Sequence, residues 1–177
     1  MNRAFYLLVG YLGVSVLTGC CATAKETDTW KRFTSKEGRF SIRFPGTPKV
    51  SKEKFKIDVY ESEITSFTVE SADGKTAYYA GYNDFSKDLL ERCPIDAMFD
   101  GARDNAVKVA KGKLTRERDM KAGRYPGREV RIETAGFVIA TRYFLVKQRL
   151  YTLVVSTAKE ENNEPVIDQF FKLFKLN

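Results

Sequence analysis

Arg39-Phe40-Ser41-Ile42-Arg43-Phe44 (RFSIRF) alternates polar with apolar side chains over six positions. Successive side chains of an extended strand point to opposite faces, so Phe40, Ile42 and Phe44 share one side and Arg39, Ser41 and Arg43 the other. The segment reads as a strand buried on one face. Ser35-Lys36-Glu37-Gly38 has turn composition and joins it to a first strand over 30–33, while Pro45-Gly46-Thr47-Pro48 stops it. Beyond that stop, two extended segments over 50–58 and 59–71 lead into an Asp73-Gly74 turn and the aromatic strand Ala77-Tyr78-Tyr79-Ala80-Gly81-Tyr82. The polar residues between Lys49 and Glu63 mark the edge of a sheet.

A helix is predicted over 94–111. Ile95, Met98, Phe99, Ala102, Ala106, Val109 and Ala110 fall on one face at spacings of three and four. Pro94 suits its first turn, Asp96 its positive end, Lys108 and Lys111 its negative end, and Gly112 offers a left-handed cap. Strands are expected over 114–120, 129–134, 137–147 and 150–157, with Ala135-Gly136 and Gln148-Arg149 as hairpin turns, which makes this half an antiparallel meander. Asn163-Glu164-Pro165 opens a short helix with Val166, Ile167, Phe170 and Phe171 at core spacing, and 173–176 closes as a strand. Antiparallel strands with helices added on the faces predict an α+β class: an antiparallel sheet covered by helices, in a sandwich.

The composition narrows the chemistry. The chain has 177 residues, 43% hydrophobic and 30% charged, which suits one ordinary globular domain. It has no histidine, and this removes Ser-His-Asp and Cys-His nucleophile systems, the commonest general base and any zinc site that needs imidazole. No dinucleotide fingerprint, phosphate-binding Walker loop or calcium loop occurs. Ser51-Lys52-Glu53-Lys54 and Ser156-Thr157-Ala158-Lys159 fit the S-x-x-K spacing of penicillin-recognising enzymes. That family needs its serine at a helix start and a K-T-G strand. Both matches lie on strand or loop, and the nearest third motif is Lys75-Thr76-Ala77. Asp84, Asp88 and Glu91 cluster ahead of the long helix and read as a solvated loop. No enzyme activity, cofactor or metal is expected.

The first nineteen residues form an export signal: a basic head at Met1-Asn2-Arg3, thirteen apolar residues over 4–16, then Leu17-Thr18-Gly19 before Cys20. The apolar run is short of the roughly 20 residues that a bilayer core requires. Leu17-Thr18-Gly19-Cys20 resembles the lipobox of bacterial lipoproteins. The resemblance implies cleavage before Cys20 and acylation of that cysteine, with Cys21 standing where an aspartate favours inner-membrane retention. A simple secreted protein cut near Cys21 or Ala22 is the alternative. The expected organisation is a lipoprotein signal peptide over 1–19, a tether over 20–29 and one domain over 30–177. The expected address is the cell envelope, lipid-anchored, at an outer membrane facing the periplasm if the host is Gram-negative.

Trp30 and Phe33, with the run Glu37-Gly38-Arg39-Phe40-Ser41-Ile42-Arg43-Phe44-Pro45-Gly46-Thr47-Pro48, resemble the opening of PsbP/Mog1-like domains. Tyr143-Phe144-Leu145-Val146, Leu150-Tyr151-Thr152-Leu153 and the tail Phe170-Phe171-Lys172-Leu173-Phe174 are similar to their close, including that of many bacterial lipoproteins. The resemblance implies an antiparallel sheet covered by helices and a non-enzymatic partner role, as in a photosystem II extrinsic subunit and a small-GTPase binding protein. It assigns no functional residue, because the matched positions read as core and turn.

Two features remain as candidates. Cys93 sits beside Arg92 ahead of a helix start, where a cation and the helix dipole lower a thiol pKa. Burial under the helix, or a disulfide with Cys21 in an oxidising compartment, are the competing readings. Between Lys108 and Arg131 stand nine basic residues against three acidic ones, Glu117, Asp119 and Glu129. Arg116, Arg118, Lys121, Arg124 and Arg128 are the candidate partner-binding face, for an envelope protein or an anionic lipid. Alternating strands would instead scatter these charges over both faces. Export argues against nucleic acid as a partner. The function expected is a lipid-anchored binding or assembly module without catalysis. The alternative is a carrier of a small molecule or metal ion between sheet and helix, walled by Tyr78, Tyr79, Tyr82, Tyr143 and Tyr151. An enzyme working through carboxylate or Tyr/Lys chemistry is a further alternative.

Overall fold

The computed structural model describes residues 30–57, 60–159 and 164–177. The expected leader, Cys20 and the tether with Cys21 lie outside the described residues. Within them the chain runs β1 (Lys31–Ser35), β2 (Phe40–Phe44), β3 (Lys49–Ile57), β4 (Tyr60–Glu70), β5 (Thr76–Asp84), α1 (Lys87–Arg92), α2 (Ile95–Ala110), β6 (Lys113–Ala122), β7 (Tyr125–Glu133), β8 (Phe137–Val146), β9 (Arg149–Ala158), α3 (Glu164–Lys172) and β10 (Lys175–Leu176). Seven strands form one sheet in the order β3-β4-β5-β9-β8-β7-β6, and β1-β2-β10 form a second. Every pairing is antiparallel.

The alternation in RFSIRF sets how the two sheets meet. Phe40, Ile42 and Phe44 are at most 1% exposed and pack with Phe67, Tyr78, Tyr82, Phe144, Tyr151 and Leu153 of the large sheet and with Ile167, Phe170 and Phe171 of α3. A full-length aromatic side chain buries on the order of 150–250 Å², so this layer is the main apolar core. The opposite face of the large sheet carries the second core. There Met98, Phe99, Ala102 and Ala106 of α2 pack on Val130, Ile132, Tyr143, Leu145 and Leu150, with Phe55 and Phe85 alongside.

This overturns the expected α+β sandwich of a sheet covered by helices. The protein is mostly antiparallel β, with ten strands and three helices among the described residues. Much of the inner face is covered by a second sheet, because β1, β2 and the two-residue β10 pair with one another and not with the large sheet.

Smaller corrections have local causes. The left-handed cap of α2 is Lys111 (φ 49°), whose N–H donates back to the last turn, and not Gly112. Gly112 is needed for a close approach, since a Cβ there would stand 2.6 Å from Ile132 Cγ2 and 2.7 Å from the Glu133 carbonyl oxygen. The β6–β7 turn falls at Gly123 (φ 61°) and Arg124, so both strands run longer than predicted. The β8–β9 turn centres on Lys147 (φ 58°), one residue earlier than expected. Helix α1, absent from the prediction, is capped by the Ser86 hydroxyl, which accepts from the Leu89 N–H at 3.2 Å. The predicted edge near Lys49 is edge strand β3, and β6 forms the other edge.

Candidate functional site

The basic run of 108–131 folds into the end of α2 and the β6–β7 hairpin, where strand alternation divides it. Register places Arg118 opposite Glu129, Glu129 opposite Arg142, and Arg116 opposite Arg131, all on the side of the sheet that faces α3. Glu117, Asp119 and Lys121 of β6 and Arg128 of β7 lie on the side that faces α2. Arg124 sits in the turn with its guanidinium 5.3 Å from the Tyr125 ring centre. The five candidate partner-binding residues are therefore distributed over two faces and a turn.

On the α2 side Arg128 is buried and fully engaged. Its Nε donates to Asp119 at 2.8 Å and its terminal nitrogens to Asp100, Glu117 and Asp96, while the guanidinium lies 5.5 Å over the Phe99 ring. Arg103 of α2 adds pairs to Asp100, Asp104 and Glu117. Burial works against the charged form of Arg128, but the hydrogen bonds it donates to Asp119 and Asp100 outweigh it and raise its pKa. Arg128 thus ties the hairpin to α2 and is not available to a partner.

On the α3 side the centre is Glu129, which is completely buried. Its Oε2 accepts from Arg142 Nε at 2.6 Å and from Arg118 Nη2 at 3.0 Å, and its Oε1 stands 3.6 Å from Arg131 Nε. Arg131 reaches on to Glu164 of α3 at 3.3 Å, and Arg142 stacks over the Phe171 ring at 4.4 Å. Burial alone would push the Glu129 carboxyl up. The bonds from Arg118 and Arg142 and the charges of Arg142 and Arg131 prevail, and hold it below the usual carboxylate range. Sequence reasoning missed Glu129, Arg131, Arg142 and Glu164 as a unit. The one available signal was a charged residue at every second position of Arg-Glu-Val-Arg-Ile-Glu, which also fits a solvated strand face.

With this geometry in place, the chain can be set against known proteins. No family model and no curated protein matches it. The solution structure of cyanobacterial PsbP (CyanoP) from Synechocystis matches with a TM-score of 0.61, covering 90% of this chain and 98% of that one at 9% sequence identity. The fold is PsbP-like. At that identity the likeness speaks for the fold alone. A crystal structure of a protein of unknown function from Pseudomonas aeruginosa covers 81% of this chain and 94% of its own at 11% identity, but its TM-score of 0.37 carries no argument.

Within the PsbP-like fold the remaining candidates take definite places. Cys93 caps the C-terminus of α1, part-buried against the α2 core, and burial raises its thiol pKa, which agrees with the reading of a cysteine partly buried under the helix and not with an activated thiol. Asp84 holds Arg149 through two bonds of 2.6–2.7 Å, Asp88 pairs with Arg92 and Glu91 with Lys87, so these acids are engaged in ion pairs. Of the tyrosines, Tyr78, Tyr82 and Tyr151 belong to the core between the two sheets, Tyr143 to the core under α2, and Tyr79, which alternates with Tyr78 on β5, to the face of the sheet that carries Tyr143. They do not wall one space. Ser51-Lys54 lies in edge strand β3, and Ser156 in β9. Among the described residues no group of acids and cysteines has metal-ligand geometry, and no helix is long and apolar enough to cross a membrane.

Proposed function

We propose that the chain is a binding or assembly module of the cell envelope, held at a membrane through lipid on Cys20 and without catalysis of its own, and that it docks an acidic protein partner along the β6 edge. The observation that carries this is how the basic run sorts itself. Arg118, Arg128 and Arg131 are tied to carboxylates, whereas Arg116, Lys121 and Arg124 are exposed and have no carboxylate partner among the described residues. These three stand along an outer strand and its turn, where the backbone on one side is unpaired. An edge strand with uncommitted cations suits an acidic extended segment, which gains backbone hydrogen bonds as well as charge complementarity.

The test is capture and crosslinking of the acylated protein from its own envelope, alongside a variant with Arg116, Lys121 and Arg124 all changed to glutamate. Arg118 and Arg128 are left intact because they are already engaged by carboxylates of the chain itself. A partner retained by the native protein and lost from the folded variant is the expected result. Capture of no partner by either protein overturns the docking reading. Labelled palmitate incorporated by the native chain and not by Cys20→Ser tests the anchor separately.

One observation favours the carrier reading. Asn105 of α2 is 4% exposed, and neither its amide nitrogen nor its carbonyl oxygen has a partner. It shares the stripe of Ala102, whose carbonyl oxygen accepts from the Tyr143 hydroxyl at 3.4 Å. A bound small molecule with both donor and acceptor groups would satisfy Asn105. Native mass spectrometry of the protein purified from its own envelope would show such a ligand, and Asn105→Leu would lose it.

A further inference from the structure

Arg116 and Arg131 are direct cross-strand partners, on the same side of the sheet as Arg118 and Arg142. Like charges opposed across a ladder repel one another. Against these four guanidiniums the cluster sets two carboxylates, Glu129 and Glu164. Within this cluster, four against two leaves an excess of two positive charges among the described residues.

The excess centres on Arg131, whose side chain is 5% exposed. The two terminal nitrogens of a guanidinium form a fork that matches two oxygens of one oxyanion. In Arg131 this fork is half used. Nη2 donates to Glu164 Oε2 at 3.3 Å, which is long for a charge-assisted bond, and the buried Nη1 has no partner. The Glu164 side chain is 63% exposed, so it can swing into solvent without disturbing the core.

The geometry points to a binding site for a phosphate-type oxyanion at the Arg131 fork, framed by Arg116 and Arg118, with Glu164 as the resident carboxylate that the ligand displaces. With Glu164 displaced, the four guanidiniums face Glu129 alone, and the resulting excess of three positive charges favours a hydrogen phosphate or phosphate monoester dianion over a single carboxylate. The phosphate can be free or part of a lipid headgroup. The site shares Arg116 with the docking surface but does not rest on it, since Lys121 and Arg124 take no part.

The experiment uses the full chain in non-ionic micelles. Inorganic phosphate is titrated at constant ionic strength by calorimetry, and in a second arm the protein is mixed with phosphatidylcholine vesicles with and without phosphatidate. Saturable binding is expected, several-fold tighter in Glu164→Gln, where the competing charge is gone, and several-fold weaker in Arg116→Gln, an exposed position where the fold is not at stake. Binding of inorganic phosphate identifies the free ion, and binding of the phosphatidate vesicles alone identifies the headgroup. Either arm supports the site only if both substitutions move the affinity in the stated directions. No saturable binding in either arm, or binding that ignores either substitution, overturns it. The docking reading stays separately testable, because its partner capture can be repeated with Glu164→Gln.

Discussion

Glu129 and Arg142 stand directly opposite each other on β7 and β8, joined by a 2.6 Å bond from Arg142 Nε to a carboxylate oxygen that solvent does not reach. Arg142 is also stacked on Phe171 of α3, so one guanidinium couples the large sheet to the last helix. Breaking a buried pair leaves an uncompensated charge, which costs about 3–5 kcal/mol. Glu129→Gln should therefore lower the unfolding free energy by an amount in that range. Arg118→Gln removes a partner that is 47% exposed and should cost no more than about 1 kcal/mol. Denaturant titrations of the two variants check the contrast, and equal losses would show that Glu129 is not the keystone of the cluster.

Acid should find the same residue. A carboxyl whose pKa is lower in the folded than in the unfolded protein adds stability at every pH above its unfolded value, about 4.3 for glutamate. That contribution is lost as pH falls through the folded value. Glu129 is of this kind, since the arginines around it hold its pKa down. Thermal unfolding of the native protein should lose stability below about pH 4 more steeply than that of Glu129→Gln. Parallel acid limbs would contradict the assignment.

Gly127 is a packing requirement. A Cβ at this position would stand 2.5 Å from Phe144 Cδ1 and 2.5 Å from the Tyr143 carbonyl oxygen, which belongs to the paired strand β8 and cannot move aside. Overpacking of this sort costs about 1–3 kcal/mol. Gly127→Ala should show that loss in a denaturant titration. Gly136→Ala meets nothing within 4 Å and should stay within about 0.5 kcal/mol of the native protein.

Cys93 should be a slow nucleophile. Burial raises its thiol pKa, so the thiolate fraction at neutral pH falls below that of a free cysteine. Alkylation by iodoacetamide at pH 7 should proceed more slowly than that of a cysteine in an unstructured peptide. A faster reaction would restore the activated-thiol reading.

How much of this was legible in the sequence depended on the range of the interaction. The alternation around Phe40 and the three-and-four spacing from Ile95 to Ala110 are local, and strand β2 and helix α2 formed where they indicate. Which sheet a strand joins is not local. β2 pairs with β1 nearby but also with Lys175 and Leu176 at the far end of the chain, and nothing in RFSIRF announces that partner. This is why helices were expected where a second sheet lies. The division of the basic run followed from period-two alternation once the strands were placed. The burial of Glu129 did not, because a glutamate in an alternating strand looks solvated until α3, some forty residues later, brings Phe171 and Glu164 across it.

The two outer strands of the seven-stranded sheet carry a further consequence. Lys49, Lys52, Lys54 and Lys56 line β3, and Lys113, Arg116, Arg118 and Lys121 line β6. Against these stand only Glu53 on β3 and Glu117 and Asp119 on β6, so a second molecule that extended the sheet by joining its own β3 or β6 to the same strand here would bring two strands of net positive charge side by side. Growth of this protein into ribbons by sheet extension is therefore disfavoured at both ends, even where many copies are crowded together. A strand of net negative charge can add to either side at lower cost.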